Sequence, residues 1–173
     1  AVNVHGGLLV DVERSRDQWV LDERIPAGEQ VGNELYASNP FDRGHLVRRR
    51  DPVWGEEARA ANADTFHYTN AAPQVDLFNQ SPELWLGLED FVLEHAATYE
   101  RRLSVFTAPV LAADDPVYRA IAIPRRFIKI VAWLQGPALA ASAYLLDQSE
   151  LVDDVVARER RGVLRGDLLA LAA

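Results

Sequence analysis

The sequence contains neither cysteine nor methionine. The first absence excludes structural disulfides and thiolate metal sites and leaves the redox compartment open. The second, with Ala1 as the first residue, implies a processed chain or a domain excised from a longer protein. Also missing is any run approaching the ~20 apolar residues that span a bilayer, or a basic segment followed by an apolar one at the start. No membrane is expected, and work inside a bacterial cell or export from it both stay open. Basic charge is scarce too: 18 Lys and Arg against 26 Asp and Glu give a formal charge of -8. That excludes a protein that coats itself broadly in nucleic acid, though it leaves room for a local basic cleft.

What is present is a chain of 173 residues, 49% hydrophobic, which suits one domain over residues 1–173 with one core. Leu8–Val12 and Gln18–Leu21 read as a hairpin around a charged turn, and Ile25 to Pro40 as surface loop leading into Asp42-Arg43-Gly44-His45. A short helix is expected across Trp54 to Ala63, then a strand over Thr65–Thr69. Ser81 as N-cap and Pro82 as first helical residue mark the start of the clearest helix, with Leu84, Leu88, Phe91, Val92 and His95 on one face. Leu103–Val110, Phe127–Leu134 and Ala138–Leu145 read as strands of a central sheet, and Leu151 to Ala173 as one or two helices. The order gives an α+β fold.

Four consecutive residues concentrate the chemistry. Arg43 can fork onto two phosphate oxygens, Gly44 lets backbone approach a substrate, His45 can take a proton near neutral pH, and Asp42 can anchor the turn. Compatible residues follow in Tyr68-Thr-Asn-Ala-Ala-Pro-Gln74, Leu77-Phe-Asn-Gln80 and Trp85-Leu-Gly-Leu-Glu89. Arg48-Arg49-Arg50 forms a candidate positive rim, to which Arg125, Arg126 and Lys129 can add. His67 and His95 read as packing residues, and the acidic pairs Asp114-Asp115 and Asp153-Asp154 as loop or helix-start acids rather than a two-metal site.

Taken together, these strings resemble the DNA/RNA non-specific endonucleases, a family of ββα-metal nucleases of the endonuclease G and Serratia nuclease type, from about Trp19 to Gln148. The resemblance implies a ββα-metal fold, a central mostly antiparallel sheet flanked by helices, and sequence-nonspecific hydrolysis of DNA and RNA with one Mg²⁺, or Mn²⁺ in its place. It implies His45 as general base, Arg43 on phosphate, Asn79 as the protein ligand of the metal, Asn70 beside the metal-bound waters and Glu89 hydrogen-bonded to them. Arg48 and an upstream arginine, Arg16 or Arg24, are further phosphate candidates. A homodimer, and an inhibitor or regulatory domain outside this chain, are compatible partners. The competing reading is a catalytically silent nucleic-acid-binding or protein-interaction domain on the same fold.

Asn79 and Glu89 stand ten positions apart, two more than in the family. Inside a helix two extra residues would turn Glu89 by about 200° away from Asn79. The Ser81-Pro82 segment, which carries the helix-start signals, is the place expected to absorb them.

Overall fold

The computed structural model describes residues 1–13 and 18–161. Its frame is a four-stranded antiparallel sheet in the order β1-β4-β7-β8, built from β1 (Val2–His5), β4 (Arg102–Val110), β7 (Arg126–Gln135) and β8 (Ala138–Asp147). The three long strands fall where β-branched and aromatic residues are dense, as the sequence predicts. Alternation sends Leu103 and Val105 of β4 and Phe127, Lys129 and Val131 of β7 to the buried face. Against that face lies the long helix α4 (Trp85–Thr98), through Val92, Leu93 and Ala96.

A second antiparallel pair stands apart from this sheet: β2 (Phe41–His45) with β3 (Ala71–Val75), in register from Phe41 opposite Val75 to His45 opposite Ala71. Between them runs α2 (Ala58–Asp64), and short α1 (Asn33–Tyr36) precedes β2. After β3 come the single turn α3 (Asp76–Asn79) and then α4. A small strand pair, β5 (Val117–Tyr118) with β6 (Ile121–Ala122), leads into β7, and α5 (Ser149–Arg160) follows β8. One core joins Phe41, Phe78, Trp85, Phe127 and the α5 residues Val152 and Val155. The fully buried Gln148 ties it together: Oε1 accepts from Val75 N at 2.9 Å, and Nε2 donates to Pro124 O at 2.7 Å and Pro73 O at 3.2 Å.

Several expectations are corrected. Among the described residues the two expected hairpin segments do not pair with each other: Leu9 bridges to Trp54 and Val20 to His67, each a partner distant in sequence, and residues 14–17 of the expected turn lie outside the described residues. The tetrad lies in a strand rather than a loop, because β3 supplies its backbone partners. Thr65–Thr69 is not a strand; after the single His67 bridge the chain turns through a 3₁₀ segment at Tyr68–Asn70, and the strand begins at Ala71. Helix α4 starts at Trp85, since Ser81 Oγ closes a local turn on Glu83 N at 3.1 Å and Ser81 O receives Leu84 N at 3.2 Å. Its buried stripe is Trp85, Glu89, Val92, Leu93 and Ala96, while Leu84 and Phe91 are exposed. The tail reads as a helix as far as Arg160, and beyond 161 it lies outside the described residues. Among the described residues no helix is long and apolar enough to cross a membrane.

Candidate active site

Strand β2 sets the first half of the site by pleat. Asp42 and Gly44 point one way, Arg43 and His45 the other. Gly44 is required where it stands: a Cβ there would meet Oε1 of the buried Gln74 at 2.1 Å. The close approach of Gln74 is thus a packing reason for glycine at this position. His45 packs its imidazole against Trp19, ring centres 4.6 Å apart, and edge-on against Phe66 at 5.1 Å. Arg43 holds its guanidinium over the Tyr36 ring at 5.3 Å and donates to Asn33 Oδ1. Aromatic faces thereby help to orient both side chains.

The other half comes from α3 and α4. Asn79 closes α3 rather than opening the long helix, and its Nδ2 donates to Asp42 Oδ2 at 2.8 Å. Gln80 Nε2 donates to the same oxygen at 2.8 Å. With its nitrogen committed to a carboxylate, the Asn79 amide has Oδ1 left as a hard oxygen donor. Residues 80–84 form the turn between the two helices, so Ser81 and Pro82 lie outside α4 while Trp85 and Glu89 lie within it, four residues apart. Gly87 makes this turn possible, since a Cβ on it would strike Pro82 O at 1.8 Å.

These elements meet in a cleft of about 580 Å³ lined by Arg43, His45, Arg48, Asn79 and Glu89 together with Trp19. The donor set suits a hard divalent cation that keeps most of its waters: one amide oxygen and one nearby carboxylate. Among the described residues no cluster of three or more His, Cys, Asp or Glu side chains could hold a metal on its own. A larger neighbouring cavity of about 610 Å³, lined by Arg24, Asp64, His67 and Asn70, lacks His45, Asn79 and Glu89.

Some candidates are put to other use. Asn70 Oδ1 accepts from Val47 N and Nδ2 donates to Val47 O and Thr65 O, each at 2.9 Å, so its amide pins the backbone just after His45 and does not line the His45 cleft. Arg24 closes a fork on Asp22 at 2.7 and 2.6 Å, which holds the Asp22 carboxyl well below the usual range. It lines the other cavity. Arg16 lies outside the described residues. The positive rim is also modified: Arg48 is buried between Glu89 at 3.5 Å and Asp90 at 2.5 Å, Arg49 donates to Asn62 and Val12, and only Arg50 is exposed. Arg125 forks onto Asp153, and Asp115 accepts from Ala112 N, which gives the acidic pairs structural work.

Sequence reasoning missed Asp51 and placed Lys129 on the surface rim. Lys129 is not a surface cation; it is 2% exposed and stands 3.5 Å from Glu89 Oε1. Asp51 is 3% exposed in the same buried group of charges. Burial pushes the Glu89 carboxyl up to about 7, against the pull of Lys129 and Arg48 and with a further push from Asp51. Burial likewise raises Asp51 to about 6, opposed by Lys129, Arg48 and Arg50. A signal was available: among 18 basic residues Lys129 is the only lysine, and it sits between Phe127 and Val131 on an inward strand face.

Residues 1–162 match the sequence model of the DNA/RNA non-specific endonucleases. The chain is 44% identical over 164 residues to an uncharacterized protein, y4fB, of Sinorhizobium fredii, covering 90% of this chain and 25% of that protein. It is 31% identical over 137 residues to mitochondrial endonuclease G of Bos taurus, covering 72% of this chain and 44% of the relative. For the Homo sapiens enzyme the figures are 27% over 163 residues, 87% and 52%. The chain thus spans a quarter to about half the length of these relatives. A crystal structure of an EndoG/EndoGI complex superposes with a TM-score of 0.68 at 22% identity, over 84% of this chain and 64% of that one, and the two share the ββα-metal fold.

Proposed function

Because the chain belongs to the DNA/RNA non-specific endonuclease family, we propose that it hydrolyses phosphodiester bonds of DNA and RNA without sequence preference, with His45 as general base and one divalent cation. The observation that carries this reading is the convergence of His45, Arg43, Asn79 and Glu89 on one cleft from three separate elements.

In this reading His45 takes the proton from the attacking water, in an imidazole orientation set by Trp19 and Phe66. Arg43 binds the scissile phosphate, exchanging its Asn33 contact for the planar two-oxygen match a guanidinium prefers. Asn79, aimed by Asp42, would hold Mg²⁺ or Mn²⁺ through Oδ1. The bound cation would supply positive charge against the phosphate and the departing sugar oxygen. Glu89 accepts hydrogen bonds from water in the cleft, and Asn70 acts by fixing the backbone that follows His45. Arg48, with Nε toward Glu89, Nη2 on Asp90 and Nη1 buried, would contact phosphate only by exchanging its Asp90 partner. Contacts of this kind are to backbone, so base identity is not read; 5′-phosphate products are what the family resemblance implies.

Plasmid DNA and an unstructured RNA incubated with Mg²⁺ and with EDTA test the reading. Degradation of both in Mg²⁺ and neither in EDTA is expected. Undiminished cleavage in EDTA would refute the metal's role, and salt-sensitive binding without turnover at any Mg²⁺ or Mn²⁺ concentration would favour the silent domain. The complex structure above concerns inhibition of EndoG; for this chain an inhibitor outside the 173 residues is likewise a proposal. So is a homodimer, for which the exposed Phe106, Leu139 and Leu145 of the sheet offer apolar surface, and sedimentation velocity reads it directly.

A further inference from the structure

Helix α4 and strand β7 pack against each other through apolar side chains, and among these each carries one buried charge. Glu89, 8% exposed, interrupts the apolar stripe of α4, and Lys129, 2% exposed, interrupts that of β7. The Lys129 ammonium donates to Thr107 Oγ1 at 3.1 Å, lies 4.7 Å from the centre of the Trp85 ring and stands 3.5 Å from Glu89 Oε1. The Arg48 Nε faces the other carboxylate oxygen, Oε2, at 3.5 Å. Each oxygen of Glu89 is therefore opposed by one cation at a distance longer than a normal hydrogen bond. Oε1 is buried and accepts no hydrogen bond of normal length, so the Lys129 ammonium is the group that opposes its charge.

A buried lysine is a costly way to fill an apolar site, since an uncharged side chain of similar length would pack there without desolvating an ammonium. The chain's other basic residues are all arginine; the one lysine places a compact ammonium among three partners, Thr107, the Trp85 ring and Glu89. We propose that Lys129 is the positioning residue of the cleft: from the sheet side, never touching substrate, it fixes the Glu89 carboxylate toward His45 and Asn79. This rests on the nuclease reading above for what Glu89 then does, but the Lys129 to Glu89 coupling is measurable without cleavage. The groups facing Glu89 are Lys129 from β7, with Arg48 and Asp51 from the segment after β2.

The test is a double-mutant cycle of Lys129→Met and Glu89→Gln. Lys129→Met is expected to lower kcat on DNA roughly 10- to 100-fold, as loss of a partner orienting a metal-site group does, with KM little changed. Adding Lys129→Met to Glu89→Gln is expected to lower kcat no further, and the double variant is expected to melt above Lys129→Met, because it leaves no unpaired buried carboxylate. A folded Lys129→Met with wild-type kcat overturns the proposal, and so do losses that multiply in the double variant. Should Lys129→Met fail to fold, the comparison of the double variant with Glu89→Gln decides. If the wild type itself does not cleave, the nuclease reading fails, and the ¹³C shift of the Glu89 carboxyl in metal-free protein judges this proposal alone. Its titration midpoint is expected to rise by about one pH unit or more in Lys129→Met, and an unmoved midpoint overturns the coupling.

Discussion

Asp42 decides which atom Asn79 presents to the cleft. An isolated asparagine can turn either end of its amide outward, but here a carboxylate oxygen takes two amide N–H donors, from Asn79 and Gln80, and leaves the Asn79 oxygen facing away. Asp42→Ala is therefore expected to weaken Mn²⁺ binding roughly 10- to 100-fold, measured by electron paramagnetic resonance of the free ion, while the fold is kept. Unchanged affinity would show that Asp42 only anchors the strand. At this scale the tetrad, Asn79 and Glu89 were legible because their residue types and order are unusual together. Lys129 was not, because a lysine three positions after a pair of arginines reads as surface until the strand's alternation is placed against a helix. Nor was the use made of Asn70, since an asparagine's type says nothing of whether it bonds substrate or backbone.

Elements place these residues through two close approaches. At Gly87 the first turn of α4 lies against the Pro82 carbonyl, which lets the extended connection fold back and still deliver Glu89 to the cleft. Gly87→Ala is expected to cost roughly 1–3 kcal/mol in a urea melt, and to lower activity as well because Glu89 must shift. Phe91→Ala, an exposed change on the same helix, should cost far less. A Gly87→Ala variant as stable as the wild type would contradict the packing described here. The long strands of the sheet were legible from alternation and β-branched residues. Strand β2 was not: Phe-Asp-Arg-Gly-His has one strongly apolar residue in five and becomes a strand only because β3, distant in sequence, pairs with it. The start of α4 was misplaced by one turn for a similar reason, since Ser81 and Pro82 carry the composition of a helix start and form the turn before it.

For the whole molecule, the buried charges link stability to pH. Glu89 and Asp51 have folded-state values near 7 and 6, above their ordinary ones, so the folded protein binds more protons than the unfolded chain between about pH 4 and 7. Stability contributed by these groups is greatest at the acidic end of that window and falls as pH rises through it. Metal-free wild type is thus expected to lose Tm between pH 5 and pH 8, on the order of a few degrees, and Glu89→Gln to flatten the slope. A slope identical in the two proteins would mean that Glu89 is not desolvated in the way its surroundings indicate. The net charge of -8 was readable as the absence of a broad basic surface, but not the way the local cations are spent: Arg48 on Glu89 and Asp90, Arg125 on Asp153. Positive charge at the cleft is mostly internal to it.

The central claim is that His45 moves the proton in a phosphodiester hydrolysis carried out in this cleft. The most direct measurement is the single-turnover rate of plasmid cleavage by wild type and His45→Ala at the same saturating Mg²⁺, with matched circular dichroism spectra. A loss of ~100- to 10,000-fold is predicted for the variant, and equal rates would contradict the account.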